Sequence, residues 1–381
     1  MPSALRPLHL GKMIPPPYAG MEAHVDTLLT TLSASADCTL VASDTLPDRM
    51  QSDVPLPYRI LPAAAYGTLA STIISPGLLG IVKAEFDAGR ANLLHVHSPN
   101  PWGDLAIQRA GSRVPTVITW HSDIVRQRLL LRGYGRIQQR ALARVDKIIV
   151  FTPEHYHSSE QLRVVDLSNK VVHVPIGIDF ARLDSPLRHS ALLDDIDRWA
   201  RGRPVALTVG RHVYYKGYRH LLRAMAHATE DTVLLMVGAG PLSGQLRRQI
   251  SELGLDRRVR MLGEVASTDL VTVLHRCDFF CLPSIAPSEA FGIASAEAMA
   301  CGKPTIVCEL HNGVTHLNRS DVTSVVVPPL DEHALASAID LLSRDGGLRS
   351  RLGTAGRAWV RSEFGVDKMR DGTLEVYRSL M

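Results

Sequence analysis

Short runs rich in β-branched and other apolar residues recur along this chain with helix-forming stretches between them, and that alternation restricts its fold more than any other feature. In the first half the runs are Pro7 to Leu10, Cys38 to Ala42, Tyr58 to Leu61, Leu93 to His97, Thr116 to Trp120, Lys147 to Phe151 and Val171 to Val174. A polar, proline-bearing interval from Asp179 to Pro204 follows. The second series is Val205 to Val209, Val233 to Val237, Val259 to Leu262, Phe279 to Leu282, Thr305 to Cys308 and Val325 to Val327. Near-continuous apolar runs spaced by helices predict parallel strands covered on both faces. Two such series predict an α/β protein of two doubly wound, Rossmann-like domains facing across a cleft. The expected boundaries are 1–180 for the first domain, 181–203 for a connecting segment, 204–364 for the second domain, and 365–381 for a last helix that packs back on the first.

At 381 residues the chain can bury a core in each of two domains. Its 42 Lys and Arg against 38 Asp and Glu leave a formal charge of only +4, too little for a dedicated nucleic-acid binder. Five cysteines, Cys38, Cys277, Cys281, Cys301 and Cys308, are odd in number and lack CxxC spacing, which fits buried free thiols in a reducing compartment. The most apolar long stretch, Leu69 to Val82, is short and broken by Pro76-Gly77, so a soluble cytoplasmic protein without leader or membrane span is expected.

Ligands of doubly wound sheets sit beyond the carboxyl ends of strands, so chemistry-bearing residues should follow the apolar runs. Gly210-Arg211 follows one strand, Gly238-Ala239-Gly240-Pro241 another, Gly263-Glu264 a third and Pro283-Ser284 a fourth. In the first half, Ser98-Pro99-Asn100-Pro101 and His121-Ser122-Asp123 hold the equivalent places. After Pro283-Ser284 comes Ser288 to Pro304, where Glu289 lies in a loop, Phe291-Gly292-Ile293 opens a helix, Glu297 lies within it, and Gly302 ends it. The free N–H groups of a first helical turn favour an anion, and flanking carboxylates can accept hydrogen bonds from hydroxyls. A nucleotide sugar offers both kinds of group. The plainer reading, Glu289 as a cap and Glu297 as a solvated helix residue, stands beside it.

Arg211 and Lys216 sit five apart after a strand, where two cations could hold a diphosphate and stabilise negative charge as it leaves. Near the N-terminus, Pro15-Pro16-Pro17-Tyr18-Ala19-Gly20-Met21-Glu22 reads as a loop entering a helix, with Gly20 able to bring its backbone close to phosphate or simply to make a tight turn. His121 closes a buried strand, where a neutral imidazole could bond a sugar hydroxyl; Asp123 suits either holding His121 or capping the next helix. His95 with His97, and His155 with His157, lack a carboxylate or cysteine that would complete a zinc site, so no metal is expected, with His97 placed near an acceptor. Asp195-Ile196-Asp197 resembles a metal-binding Asp-x-Asp but reads as a solvated acidic helix. From Arg126 to Lys147, Arg126, Arg128, Arg132, Arg136, Arg140, Arg144 and Lys147 face a single acid, Asp146. That stripe suits anionic lipid headgroups or a solvated basic face equally.

The run Ser288 to Pro304, with the Gly-Arg…Lys-Gly element at Gly210 to Gly217, resembles the signature of the family 4 glycosyltransferases, which have the GT-B fold; the family usually has two glycines where this chain has Ala19-Gly20. The resemblance covers most of the chain. It implies a retaining glycosyltransferase acting on a nucleotide sugar without an obligatory metal or other cofactor. By the same resemblance Glu289, His121, Arg211 and Lys216 are the catalytic set. Gly20, Arg211, Lys216, Gly240, Phe291, Gly292, Ile293 and Glu297 bind the donor, with Glu289 and backbone N–H groups of Phe291 to Ile293 at the sugar and Glu297 at the ribose. His97 to Pro101 and Trp120 to Gln127 are similar to segments of bacterial mannosyl- and rhamnosyltransferases of O-antigen or other surface polysaccharides. A GDP-linked mannose or D-rhamnose and a polyprenyl-diphosphate-linked oligosaccharide acceptor are therefore expected, at the inner face of the cytoplasmic membrane. A UDP-sugar donor, a nucleotide-sugar epimerase and a non-catalytic glycan-assembly subunit are the alternatives.

Overall fold

The computed structural model describes residues 4–15, 20–45, 55–69, 72–111, 114–124, 128–164, 166–185, 190–229 and 231–381. Pro16 to Ala19 and Val125 to Gln127, which figure in the sequence reading, lie outside the described residues. The chain forms two compact units: Met1–Gly177 together with Val366–Met381, and Ile178–Gly365.

In the first unit, apolar runs become strands because β-branched and aromatic side chains suit a sheet buried on both faces. The strands are β1 (Pro7–Met13), β2 (Thr39–Asp44), β3 (Arg59–Ala64), a small antiparallel hairpin of β4 (Thr68–Leu69) and β5 (Thr72–Ile73), then β6 (Leu93–Ser98), β7 (Thr116–Trp120), β8 (Lys147–Val150) and β9 (Val171–His173). The seven-stranded sheet has the order β3-β2-β1-β6-β7-β8-β9 and is parallel throughout. The hairpin was not foreseen; its two-residue strands are too short for any periodicity to register. Register sets His9 beside His95 and His97 beside Thr119. Because strand side chains alternate, His9, His95, His97 and Thr119 share one face. The helix Gly20–Leu32 and the final helix Val366–Arg378 pack together in this unit, where Val25, Leu28, Leu374 and Tyr377 join Leu93, Val117 and Ile149 in one core cluster. Each such side chain, fully buried, contributes roughly 1.5–3 kcal/mol before entropy is charged.

The second unit repeats the plan with β10 (Val205–Val209), β11 (Val233–Val237), β12 (Val259–Gly263), β13 (Phe279–Leu282), β14 (Thr305–Cys308) and β15 (Ser324–Val327). Their order is β12-β11-β10-β13-β14-β15, again all parallel. The chain turns outward in opposite directions from β10 and β13, so the loops after these neighbours flank a topological switch point. Residues 181–203 belong to this unit and are more than a connection. The helix Ala191–Ala200 buries Ile196 and Ala200, while Asp195 pairs with Arg260 at 2.6 Å, Asp197 pairs with Arg276, and Arg260 lies 4.7 Å from the Trp199 ring centroid. Asp195 and Asp197 are thus ion-pair partners of Arg260 and Arg276.

The cysteines are free, and all but the half-buried Cys301 are buried; burial holds the Cys277 thiol up at about 12, so it is inert at neutral pH. Among the described residues, no helix is long and apolar enough to cross a membrane.

Candidate active site

The second unit builds its site from the two loops at the switch point. After β10, Gly210 leads to the exposed Arg211, and a single turn of tight helix, Tyr214–Lys216, ends at Gly217 and carries Lys216 inward. After β13, a loop brings Glu289 back toward it. Lys216 Nζ lies 2.6 Å from Glu289 Oε2, and both side chains are buried. Ser284 Oγ donates to the same carboxylate oxygen at 2.9 Å, and Asn312 Nδ2 donates to the Glu289 carbonyl at 2.8 Å. Burial opposes the charge on Lys216, but the Glu289 carboxylate outweighs it, and the ammonium is held above the usual lysine range. Lys216 is therefore a fixed cation at any physiological pH.

Glu289 is thus a buried, oriented carboxylate and not a helix cap. The helix Ile293–Ala300 is instead entered through Gly292, whose φ of +85° lies in the left-handed region. A Cβ there would also stand 2.7 Å from Leu282 Cδ2, so glycine is required on two counts. The Ser295 N–H donates to the Gly292 carbonyl at 2.9 Å, and the N–H groups of Ile293 and Ala294, which precede it at the helix start, have no intrahelical acceptor and can meet an anion. Phe291 turns its ring into the core against Phe364, 5.1 Å between centroids. Gly240 allows another close approach: a Cβ there would be 2.7 Å from both the backbone N and O of His212. His212, buried beside Arg211, is fixed by Ser243 Oγ at 2.8 Å, which also accepts from the Gly240 N–H at 3.0 Å.

Glu297 is paired with Arg182, which also reaches Ser267 Oγ at 3.2 Å. Burial raises the Glu297 carboxyl above its ordinary range and Arg182 offsets part of that rise. The carboxylate is therefore held and not a solvated surface group. Arg182 and Asn312 escaped sequence reasoning because they come from distant segments with no motif around them.

In the first unit, Gly20 opens the helix Gly20–Leu32 and is exposed. His121 follows β7, its N–H bonded to the Ser98 carbonyl at 2.9 Å and its ring half-buried. Asp123 neither holds His121 nor caps a helix: it accepts from Trp120 Nε1 at 3.0 Å, Ser159 Oγ at 2.5 Å and the Gln161 N–H at 3.3 Å. The partner of His121 is His97, with Nδ1 of His97 and Nε2 of His121 3.1 Å apart. His97 is fully buried, which corrects its expected place at the acceptor: both its ring nitrogens are used, the other by His9 at 3.1 Å. Burial above all, with the neighbouring imidazoles, pushes His97 and His121 well below the ordinary histidine range, so both are neutral.

Two groups of three imidazoles, His9 with His95 and His97 and His24 with His97 and His121, bring nitrogens within 4.8 Å of one another. The sequence did not reveal them, since their members come from β1, β6, the segment after β7 and a helix. His9, His95, His97 and His121 already direct nitrogens to hydrogen bonds, which leaves those lone pairs and protons committed. His157 is exposed and His155 stacks on Phe151 at 5.6 Å.

A buried lysine and carboxylate at the switch point of one doubly wound unit, beside an exposed arginine and a glycine-entered helix, accord with the class that the family and structural matches show: a glycosyltransferase of the GT-B fold. Residues 193–359 match the family described as Glycosyl transferases group 1, and residues 18–182 match Glycosyltransferase Family 4. The chain is 31% identical over 302 residues to the O-antigen chain mannosyltransferase C of Escherichia coli, covering 79% of this chain and 77% of that one. It is 34% identical over 279 residues to the D-rhamnosyltransferase WbpZ of Pseudomonas aeruginosa, covering 73% and 71%. Among solved structures, the sucrose-phosphate synthase of Thermosynechococcus elongatus shares the fold with a TM-score of 0.80 at 22% identity, covering 98% of this chain and 99% of that one. Anabaena HepE, in complex with UDP-glucose, shares it with a TM-score of 0.79 at 19% identity, covering 98% and 99%. The chain belongs to the family 4 glycosyltransferases.

Proposed function

We propose that this enzyme transfers mannose or D-rhamnose from a GDP-linked donor, with retention of configuration, to a lipid-carried oligosaccharide in O-antigen or related surface-polysaccharide synthesis. The choice of sugar rests on the mannosyl- and rhamnosyltransferase relatives. The observation that carries the chemistry is the buried Lys216–Glu289 pair, because it presents a permanent cation and an oriented carboxylate beside the exposed Arg211.

In this reading Arg211 and Lys216 hold the donor diphosphate, and the N–H groups that open the helix at Ile293 share its charge. Glu289 accepts from hydroxyls of the sugar, Glu297 from those of the ribose, and the backbone at Gly20 and Gly240 lets phosphate and nucleotide approach closely. The acceptor hydroxyl oxygen attacks the anomeric carbon from the face the diphosphate leaves. As the carbon–oxygen bond to phosphate breaks, its electrons stay on the phosphate oxygen, and that oxygen takes the proton from the acceptor hydroxyl. Arg211 and Lys216 act where charge develops and supply the stabilisation a metal ion would otherwise give. His121, neutral, contacts the sugar. The exposed Arg136, Arg140 and Arg144 of the helix Arg128–Arg144 offer a basic surface to anionic lipid, as an acceptor anchored at the inner face of the cytoplasmic membrane requires.

A thermal-shift screen of GDP- and UDP-linked hexoses tests the donor. A nucleotide sugar at about 100 times its dissociation constant should add about 2.7 kcal/mol of stability. Stabilisation by GDP-mannose or GDP-D-rhamnose is expected; stabilisation by UDP-hexoses alone would overturn the donor assignment.

A further inference from the structure

His121 ends a continuous chain of hydrogen bonds through the interior of the first unit. His121 Nε2 meets His97 Nδ1 at 3.1 Å, and His97 Nε2 meets His9 Nδ1 at 3.1 Å. His9 Nε2 meets the Tyr377 hydroxyl at 3.1 Å, that hydroxyl meets His95 Nδ1 at 2.6 Å, and His95 Nε2 meets Thr119 Oγ1 at 2.7 Å. His9, His95, His97, Thr119 and Tyr377 are all buried. Burial pushes His9 down to about 3, with His24 adding to the shift, and carries His95 and His97 well below the ordinary range, so the rings are neutral.

A neutral imidazole has one N–H and one lone pair, so each ring must donate at one nitrogen and accept at the other. The tautomers are thereby coupled, and only two arrangements use every contact with the Tyr377 hydroxyl donating to one ring and accepting from the other. In one, Thr119 donates to His95 Nε2, His95 Nδ1–H donates to Tyr377, and Tyr377 donates to His9 Nε2. His9 Nδ1–H then donates to His97 Nε2, and His97 Nδ1–H donates to His121 Nε2. The other arrangement reverses every bond.

The two ends differ. At the His121 end the ring is half-buried, so its outer nitrogen can meet water or ligand in either arrangement. At the Thr119 end, which is buried, the reversed arrangement leaves the hydroxyl hydrogen without an acceptor, because among the described residues His95 is its sole side-chain partner. A buried unsatisfied donor carries a desolvation penalty, so the first arrangement is favoured.

We infer that His97, backed by His9, Tyr377, His95 and Thr119, is a positioning residue that locks His121 as its Nδ1–H tautomer, so that His121 meets its ligand as a hydrogen-bond donor and never as a base. The arrangement replaces the carboxylate that often orients a histidine, since Asp123 is spent elsewhere. The inference rests on the proposed transferase reading only for the identity of what His121 touches.

The test is two-bond 15N–1H NMR of 15N-histidine-labelled protein, with His121 assigned from His121→Gln. The Nδ1–H form of His121 should predominate by at least about fivefold, and Thr119→Val, which removes the terminal donor, should bring the two forms to within about twofold, whereas Thr119→Ser keeps the bias. In sugar transfer, His97→Ala should lower kcat with little change in donor KM. His97→Gln, which donates and accepts as imidazole does, should restore much of it. A predominant Nε2–H form in the wild type, or a tautomer ratio unmoved by Thr119→Val, overturns the inference. So does one equivalent of a transition metal in the purified protein bound at His24, His97 and His121, measured by elemental analysis and lost in His24→Ala. If the tautomer is as assigned and Thr119→Val shifts it, yet His121→Ala transfers sugar at the wild-type rate, the relay stands and the sugar-binding role of His121 falls.

Discussion

Lys216 and Glu289 depend on each other. Removing either alone strands a buried charge, which costs about 3–5 kcal/mol, whereas replacing both by neutral side chains of similar size is often close to neutral for stability. Lys216→Met should therefore lower the melting temperature markedly, and Lys216→Met with Glu289→Gln should recover most of that loss. Neither variant should recover transfer if Lys216 is, as proposed, the cation opposite the developing phosphate charge; a fall of about 10²–10³-fold in kcat is expected. Chelator should leave the wild-type rate unchanged. A double variant that regained both stability and turnover would show the pair to be structural only.

The strand–helix alternation was legible because buried parallel strands need continuous apolar runs, and most predicted strands fall within a residue or two of the observed ones. The helix entry at Gly292 was legible for the same local reason. What stayed hidden depends on register and on contacts between distant segments: Arg182 on Glu297, and His97 turned from solvent into the chain behind His121. The segment 181–203 reads as a linker because its charges and Pro186 mask the Ile196 and Ala200 face that packs inward. The helix Arg128–Arg144 carries a prediction of its own. Its exposed Arg136 and Arg140 should each add about 1 kcal/mol to binding at an anionic surface. Co-sedimentation with phosphatidylglycerol vesicles should fall roughly tenfold or more on replacing both by alanine, and equal sedimentation of variant and wild type would assign them to a solvated face.

At the scale of the whole molecule, the buried histidines make acid stability uneven. Burial pushes His24 down to about 3, and burial together with His24 does the same for His9; unfolding restores each to about 6.5, so the unfolded chain binds more protons. This stabilisation is present above that unfolded value and is lost as pH falls toward the folded one. One unit below 6.5, each such histidine withdraws about 1.4 kcal/mol. Calorimetry between pH 7 and pH 5 should show the transition of the first unit moving down faster than that of the second, with proton uptake on unfolding. Parallel shifts would argue against buried neutral imidazoles.

The proposed transfer proceeds with retention at the anomeric carbon. The direct measurement is 1H NMR of the product formed from GDP-α-D-mannose or GDP-α-D-rhamnose with a panel of synthetic lipid-diphosphate-linked oligosaccharides. An α-linked hexose on the acceptor is expected, formed in step with GDP release and abolished in the Lys216→Met, Glu289→Gln variant. A β-linked product, or an altered free sugar released without any acceptor, would contradict it.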